Sequence, residues 1–257
     1  ADSPVSVVVG RQAGKQFPDG TAALAGVDLD IQRGEFVSIV GPSGCGKSTL
    51  LRLIAGLSET SSGTLTVEDV APVEARRFRG DLAFVFQDPT LLPWRTVERN
   101  VSLPLELKTE ETEDRRARVD AALAMVGLTE FHRSFPRQLS GGMRMRVSIA
   151  RALVTRPRLL LMDEPFGALD EISRQRLNEE ISVLWQRERW TGLFVTHNVS
   201  EALYLSQRVL VMSARPGRLV ADVTVPFEYP REPSLRTDPR FNEIAGQVAR
   251  TLHEVQH

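Results

Sequence analysis

One short stretch has the residue types and spacing of a phosphate-binding loop. Residues 41–49 read Gly-Pro-Ser-Gly-Cys-Gly-Lys-Ser-Thr, which fits the pattern G-x-x-x-x-G-K-[ST]. Glycine lets the backbone approach phosphate oxygens because it has no Cβ atom, and the amides of a helix N-terminus attract anions. The stretch therefore predicts contacts to nucleotide phosphates from Gly41, Ser43, Gly44, Cys45, Gly46, Lys47, Ser48 and Thr49.

The side chains of this loop suggest ATP with Mg²⁺. We expect Lys47 to reach the β- and γ-phosphates, Ser48 to ligate Mg²⁺ through its hydroxyl oxygen and Thr49 to assist at the α-phosphate. A chance glycine-rich turn is the alternative. The flanks argue against it, because residues 35–40 read as a buried strand and residues 50–56 as a helix that ends on a glycine.

A second apolar strand ends in two acids, Asp163 and Glu164. Asp163 is expected to hold Mg²⁺ directly or through water. Strand alternation turns Glu164 the other way, where it could polarise the attacking water. The alternative is a helix N-cap with its neighbour. Together with the phosphate loop, the pair predicts the second half of an ATPase site.

Two further strands end in polar residues, Gln87 and His197. Open α/β sheets bind ligands at the carboxyl ends of their strands. Gln87 is therefore a candidate for contact with Mg²⁺ or water, although an ordinary turn residue fits as well. A lone histidine is usually structural, but the place of His197 favours a contact with the γ-phosphate.

The chain holds a second helix start suited to an anion. Ser140 fits an N-cap, and Gly141 and Gly142 leave backbone amides bare. One ATP needs only one phosphate loop, so this start is expected to serve another nucleotide, held by another copy of the chain. Earlier in the sequence, Phe17 lies in a turn-rich stretch, where it is equally compatible with a core position and with stacking on adenine.

Composition bounds the possible functions. The 257 residues have a net charge of −1 and are 42% apolar, which fits one large α/β domain with a sizeable core. A nucleic-acid binder would show a basic excess. The one cysteine, Cys45, allows no intrachain disulfide, as suits a reducing compartment. With neither a signal peptide nor an apolar run of about 18 residues, the chain is not expected to span a membrane alone.

The rest of the chain supplies the elements that position these residues. We expect a β-rich core from residues 1–90 and 158–225, and a helical subdomain over residues 91–157 that contains the second anion site. A linker rich in proline and charge is expected over residues 226–239. Residues Phe241, Ile244, Val248 and Leu252 recur at helical spacing, and this last helix is expected to pack back on the domain.

The order of these motifs resembles that of ABC-transporter ATPase subunits. The resemblance covers nearly the whole chain and rests on residues 41–49, Gln87, residues 139–143, residues 159–164, residues 167–170 and His197. It implies one ABC ATPase domain over residues 1–257. The implied fold is α/β, a phosphate-loop NTPase (RecA-like) core with an antiparallel β subdomain and an inserted α-helical subdomain.

The resemblance also implies residue roles and a head-to-tail dimer that sandwiches two ATP molecules. By this resemblance, Phe17 stacks on adenine and Gln87 senses Mg²⁺. Glu164 is the catalytic base, and His197 is the switch histidine. Ser140 and Gly142 bind the γ-phosphate of the ATP held by the opposite subunit, and Asp170 lies at the dimer interface. One departure is Met143, where the commonest signature has glutamine. We expect activity to survive, because hydroxyl and backbone groups before it contact phosphate.

Several short segments are similar to those of importers for nitrate, sulfonates and taurine: residues 91–94, Val97, residues 100–101, 103–105 and 212–218, and the tail over residues 238–241. This implies an ATPase subunit at the cytoplasmic face of the cell membrane that powers uptake of a small solute. The implied partners are a second ATPase subunit, transmembrane permease subunits and, indirectly, an extracytoplasmic solute-binding protein, with no nucleic acid. The alternatives are an ABC exporter or lipid-handling system, a soluble ABC ATPase acting on nucleic acid or ribosomes, and a small-molecule kinase.

Overall fold

The computed structural model describes residues 5–79, 82–108 and 112–255. In chain order the strands are β1 (Ser6–Gln16), β2 (Ala22–Gln32), β3 (Phe36–Val40), β4 (Ser62–Val67), β5 (Leu82–Val85), β6 (Leu159–Asp163), β7 (Thr191–Thr196), β8 (Arg208–Met212) and β9 (Leu219–Thr224). The helices are α1 (Lys47–Ile54), α2 (Pro72–Glu74), α3 (Val97–Leu107), α4 (Thr112–Met125), α5 (Gly141–Leu153), α6 (Glu171–Glu188), α7 (Val199–Leu205) and α8 (Pro239–Glu254).

The described strands form two sheets of different kinds. The smaller sheet is antiparallel in the order β2-β1-β4, and the larger has the order β5-β6-β7-β3-β8-β9. All neighbours in the larger sheet are parallel except β8 and β9. Every residue of β3 and β7 is buried, as expected of parallel strands that are covered on both faces. Together with the helices, these sheets confirm the predicted α/β class.

The larger sheet separates two apolar clusters. Alternate side chains of a strand point to opposite faces, and β3 divides accordingly. Val37 and Ile39 pack with the antiparallel sheet and α1. Phe36 and Val40 pack on the other side, with the helices that follow residue 97. This double burial holds rigidly the strand that leads into residues 41–49.

The segment over residues 226–239 differs from the expected linker, because it packs closely on α7. Arg231 is buried and donates from Nη1 to the carbonyls of Leu203, Tyr204 and Ser206 at 2.8, 3.0 and 2.9 Å. These carbonyls end α7, where the helix dipole favours a cation. Arg231 also donates to the carbonyl of Phe227. The segment that is rich in proline and charge is therefore fixed to α7 by the hydrogen bonds of one arginine side chain.

Helix α8 packs back on the domain, as its apolar spacing predicts. Phe241 and Val248 are buried, and Ile244 and Leu252 pack against the same cluster. Strand β1 has 11 residues and pairs with both β2 and β4. None of the helices in the described ranges combines the length and apolar composition needed to cross a membrane.

Replacing Arg231 with methionine is expected to destabilise the fold by about 2–4 kcal/mol, because buried carbonyls lose their donors. Urea unfolding measures the change. Arg176→Met is the matched control, since Arg176 is mostly exposed on α6 and pairs with Glu180 in the next turn. We expect this variant to change the free energy of unfolding by no more than about 0.5 kcal/mol. Equal midpoints for the two variants would contradict the capping role of Arg231.

Candidate functional site

The phosphate loop connects β3 to α1 in a conformation that requires glycine. Gly46 precedes α1 with φ of 113°, and a Cβ atom there would lie 2.8 Å from the carbonyl oxygen of Ala23. Gly44 also has a positive φ, of 73°. At Gly41, a Cβ atom would lie 2.9 Å from the Cys45 sulfur. Larger residues at these positions would strain or displace the loop.

Lys47 is the cation of the loop. Its ammonium donates to the carbonyls of Gly41 and Pro42, both at 2.8 Å, and the side chain is 4% exposed. The Glu164 Oε1 atom lies 4.0 Å away. The two hydrogen bonds to backbone carbonyls hold the ammonium at the loop. Lys47 therefore lies where the loop would hold phosphates.

Ser48 and Asp163 form a pair of hard oxygen donors across the sheet edge. The Ser48 hydroxyl donates to Asp163 Oδ1 at 2.9 Å. Burial raises the pKa of Asp163, and the hydrogen bond from Ser48 opposes that shift. A hydroxyl and a carboxylate fit Mg²⁺, which is usually held by one or two protein oxygens together with water and phosphate. Within the described ranges, no cluster of three or more acidic, histidine or cysteine side chains forms a fuller cage.

Glu164 lies just beyond β6 and has an unusual backbone. Its φ is 45°, and its N–H donates to the Val195 carbonyl at 2.9 Å. The sequence predicts that strand alternation turns the Glu164 side chain away from that of Asp163. That reason is wrong, because β6 ends at Asp163. The positive φ of Glu164 sets the orientation of its side chain instead. Non-glycine residues in this region store strain and cluster at functional sites.

The Glu164 carboxylate bridges two other predicted site residues. Its Oε2 atom lies 3.2 Å from Nδ1 of His197, which follows β7, while Oε1 faces Lys47 as described. Glu164 is partly buried and the His197 side chain is 57% exposed. The carboxylate therefore stands between the loop cation and an imidazole at the surface.

Gln87 lies against the loop that follows Glu164. Its Nε2 atom would be 3.1 Å from a Cβ atom at Gly167, so a larger residue there would have to displace the Gln87 amide slightly. Gln87 is exposed and follows β5 at the same sheet edge. The structure thus brings the ends of β3, β5, β6 and β7 together.

The second anion candidate forms the start of α5. The Ser140 hydroxyl accepts from the Met143 N–H at 3.2 Å, as the predicted N-cap would. A Cβ atom at Gly142 would meet nothing within 4 Å, whereas one at Gly141 would lie 3.4 Å from Leu169. The Met143 side chain packs toward the core, so its apolar character has a structural use.

Asp170 caps α6 immediately after Leu169. Its Oδ1 atom accepts from the Ser173 N–H at 3.0 Å, and hydrogen bonds from Ser173 hold the pKa of this carboxyl below its usual range. The predicted interface residue therefore also has a local role as a helix cap.

The other predicted contacts vary in exposure. Phe17 is 39% exposed and its ring lies 5.9 Å from the Lys15 ammonium, so the ring is not a core residue and one face can stack. Ser43 is exposed and Thr49 half-buried. Cys45 is buried, which raises the pKa of its thiol. Any contact of Cys45 with phosphate would come from its backbone.

Sequence reasoning missed a turn that supports the phosphate loop. The Arg215 side chain donates to the Gly44 carbonyl at 3.2 Å. Gly217 exchanges backbone hydrogen bonds with Ala23 and Ala25 of β2, and a Cβ atom on it would lie 2.3 Å from the Cys45 carbonyl oxygen. The Arg-Pro-Gly-Arg sequence signalled a turn, but not its contact with a loop 171 residues away.

The family model described as ABC transporter matches residues 24–167. The aliphatic sulfonates import ATP-binding protein of Bacillus cereus is 40% identical over 88% of this chain and 86% of its own length. The taurine import ATP-binding protein of Rhizobium johnstonii is 44% identical over 91% of this chain and 90% of its own length.

Among solved structures, a dimeric ATP-binding cassette in a post-hydrolysis state bound to ADP and Pi has a TM-score of 0.74 and 34% identity. That match covers 86% of this chain and 100% of the cassette. The chain belongs to the ABC transporter family and is an ATPase of that type. The predictions of the family, its fold and its enzymatic class are confirmed.

Replacing Lys47 with alanine is expected to weaken ATP binding by about 10- to 100-fold, because hydrogen bonds to charged groups contribute about 1.5–3 kcal/mol. Equilibrium binding of a fluorescent ATP analogue measures the change. Lys108→Ala, which removes an exposed lysine after α3, is the control and should bind like the parent. Equal affinities for all three proteins would exclude Lys47 from the phosphate site.

Proposed function

We propose that this ABC-type ATPase is the ATP-hydrolysing subunit of an importer for a small anionic or sulfonated solute. The observation that carries the ATPase part is the cluster in which Glu164 lies between Lys47 and His197, beside the Ser48–Asp163 pair. Import of a sulfonate-like solute is supported by the two relatives above, which are import ATP-binding proteins for aliphatic sulfonates and taurine.

In this proposal the phosphate loop binds the ATP phosphates through its amides and Lys47. Mg²⁺, when bound, would neutralise phosphate charge beside Ser48 and Asp163. Glu164 accepts a proton from the attacking water at its carboxylate. His197 is close enough to Glu164 to orient that carboxylate and to contact the γ-phosphate from the exposed side. Gln87 lies beside the loop after Glu164 and is positioned to respond to the Mg²⁺ site.

The proposal includes a head-to-tail dimer with two ATP molecules. Gly142 has open space around its Cα atom, so the start of α5 can accept the phosphate of another molecule. Leu169 lies close to Gly141 at the start of α5 and directly precedes Asp170. In this proposal, Asp170 would lie at the interface that closes. The similar cassette bound to ADP and Pi is itself dimeric. In the dimer, the Phe17 ring stacks on adenine.

The remaining partners would be membrane subunits at the cytoplasmic face, with a solute-binding protein on the other side. The segment after Gln87 is the proposed point of contact, because the Trp94 side chain is 72% exposed there. A large exposed aromatic side chain on a connecting segment favours a protein interface. Movement of Gln87 during the ATP cycle would reach the permease through this segment.

Glu164→Gln is expected to lower the ATP turnover number by about 10²- to 10⁴-fold while ATP affinity is retained, because the base is removed but the phosphate loop stays intact. Phosphate release under saturating ATP measures turnover. Glu171→Gln, on the exposed first turn of α6, is the matched control. Turnover near the parent rate in Glu164→Gln would contradict the assignment of the base.

Affinity purification from the native membrane tests the transport part. We expect a polytopic membrane protein in comparable amount, and a loss of it with Trp94→Ala while ATP binding is unchanged. Leu57→Ala truncates another exposed apolar side chain and should retain the partner. Recovery of nucleic acid or ribosomes in its place would overturn the transport proposal but leave the ATPase assignment intact.

A further inference from the structure

The backbone on both sides of His197 is held by one hydrogen-bonded ring. The Thr196 hydroxyl donates to Glu201 Oε2 at 2.5 Å and accepts from the Asn198 N–H at 3.0 Å. The Asn198 side chain accepts from the Glu201 N–H at 3.1 Å. His197 lies between Thr196 and Asn198, two members of this hydrogen-bonded ring. The His197 imidazole itself takes no part in the ring.

The ring is a capping box enlarged by one hydroxyl. In the usual form, the acid at the third helical position accepts directly from the N–H of the cap residue. Here the Thr196 hydroxyl accepts from the Asn198 N–H and donates to the Glu201 carboxylate, so it lies between the two groups. A direct bond would suffice to cap α7. The enlarged form also fixes the residue that precedes His197.

The ring is buried, whereas the imidazole is exposed. Thr196 and Glu201 are 2% and 6% exposed, and burial raises the pKa of the Glu201 carboxyl despite the bond from Thr196. On α6, Arg174 brings its Nε atom to 3.7 Å from Glu201 Oε1. Burying a carboxylate costs free energy unless it is hydrogen-bonded or paired. The contacts from Thr196 and Arg174 therefore hold the Glu201 carboxylate in its buried position.

We propose that Thr196 and Glu201 are positioning residues for His197. They fix the backbone at residues 196–198 so that Nδ1 of His197 faces the Glu164 carboxylate at 3.2 Å. The link from Glu201 to Arg174 ties the same ring to α6, the helix that begins after Asp170. The geometric part stands on the contacts above, and its consequence for ATP turnover rests on the proposed function.

A simple cap for α7 is the competing explanation, and matched variants separate the two. Thr196→Val keeps the shape and the strand propensity but removes the hydroxyl. Thr196→Ser keeps the hydroxyl. Ser206→Ala removes another buried hydroxyl, which donates to the Ala202 carbonyl at the other end of α7. Thermal unfolding verifies that all three variants fold.

The first readout is the nitrogen NMR spectrum of the histidine rings in the full chain. The chain has four histidines, and the spectrum of His197→Gln identifies the signal of His197. We expect Thr196→Val to shift the His197 ring signals toward those of a free imidazole, and Thr196→Ser and Ser206→Ala to leave them unchanged. An unchanged His197 signal in Thr196→Val would overturn the proposal, whatever the ATPase activity.

The second readout is ATP turnover in a double-mutant cycle with His197→Ala. We expect Thr196→Val to lower kcat by up to about 100-fold, the scale of a misplaced catalytic group, with KM unchanged. In the His197→Ala background, the same substitution should have no further effect. An undiminished effect there would overturn positioning through His197. If the NMR signal shifts but His197→Ala keeps full turnover, positioning stands and the catalytic role of His197 falls.

Discussion

The rest of the site depends on the hydrogen bonds that hold the buried Lys47 ammonium at its own loop. A lysine charge loses hydration when it is buried, and it usually requires a carboxylate partner. Lys47 has two carbonyl oxygens at 2.8 Å, and Glu164 remains at 4.0 Å. Phosphate would therefore meet a cation that the loop carbonyls already orient. The carbonyls come from Gly41 and Pro42, so the charge is tied to the shape of its own loop.

Strand order brings the other groups to this cation. The neighbours β5-β6-β7-β3 are parallel, so their carboxyl ends share one edge. Gln87, the acids at 163–164, His197 and the phosphate loop lie at or just beyond these four ends. The two acids beside a phosphate site would repel it in isolation. Ser48 and Lys47 each face one of these acids, and a divalent cation would reduce the repulsion further.

The sequence predicts contacts within a motif better than contacts between distant segments. Residues 41–49 match a known phosphate-loop pattern, so their contacts within the loop follow from the sequence. The apolar runs before Asp163 and His197 likewise predict that both residues lie at strand ends. Local rules predict neither the left-handed turn at Glu164, which depends on the Val195 carbonyl of the next strand, nor the Arg231 cap of α7. Both are satisfied by residues far along the chain. Thr196 and Glu201 lie close in sequence, but their ring departs from the usual capping pattern.

In the proposed dimer, the arrangement would separate the binding of ATP from its hydrolysis. One copy already places Lys47, Glu164 and His197 within reach of one another, whereas the start of α5 is open at Gly142. If a second copy closes this gap in the proposed dimer, the energy of ATP binding is used to close an interface rather than for the chemistry alone. Such a device needs a base that is positioned before closure but active only after it. In the proposed mechanism, the Glu164 backbone with its positive φ and the hydrogen-bonded ring beside His197 would hold these two residues in place, so that closure would need only to complete the phosphate contacts.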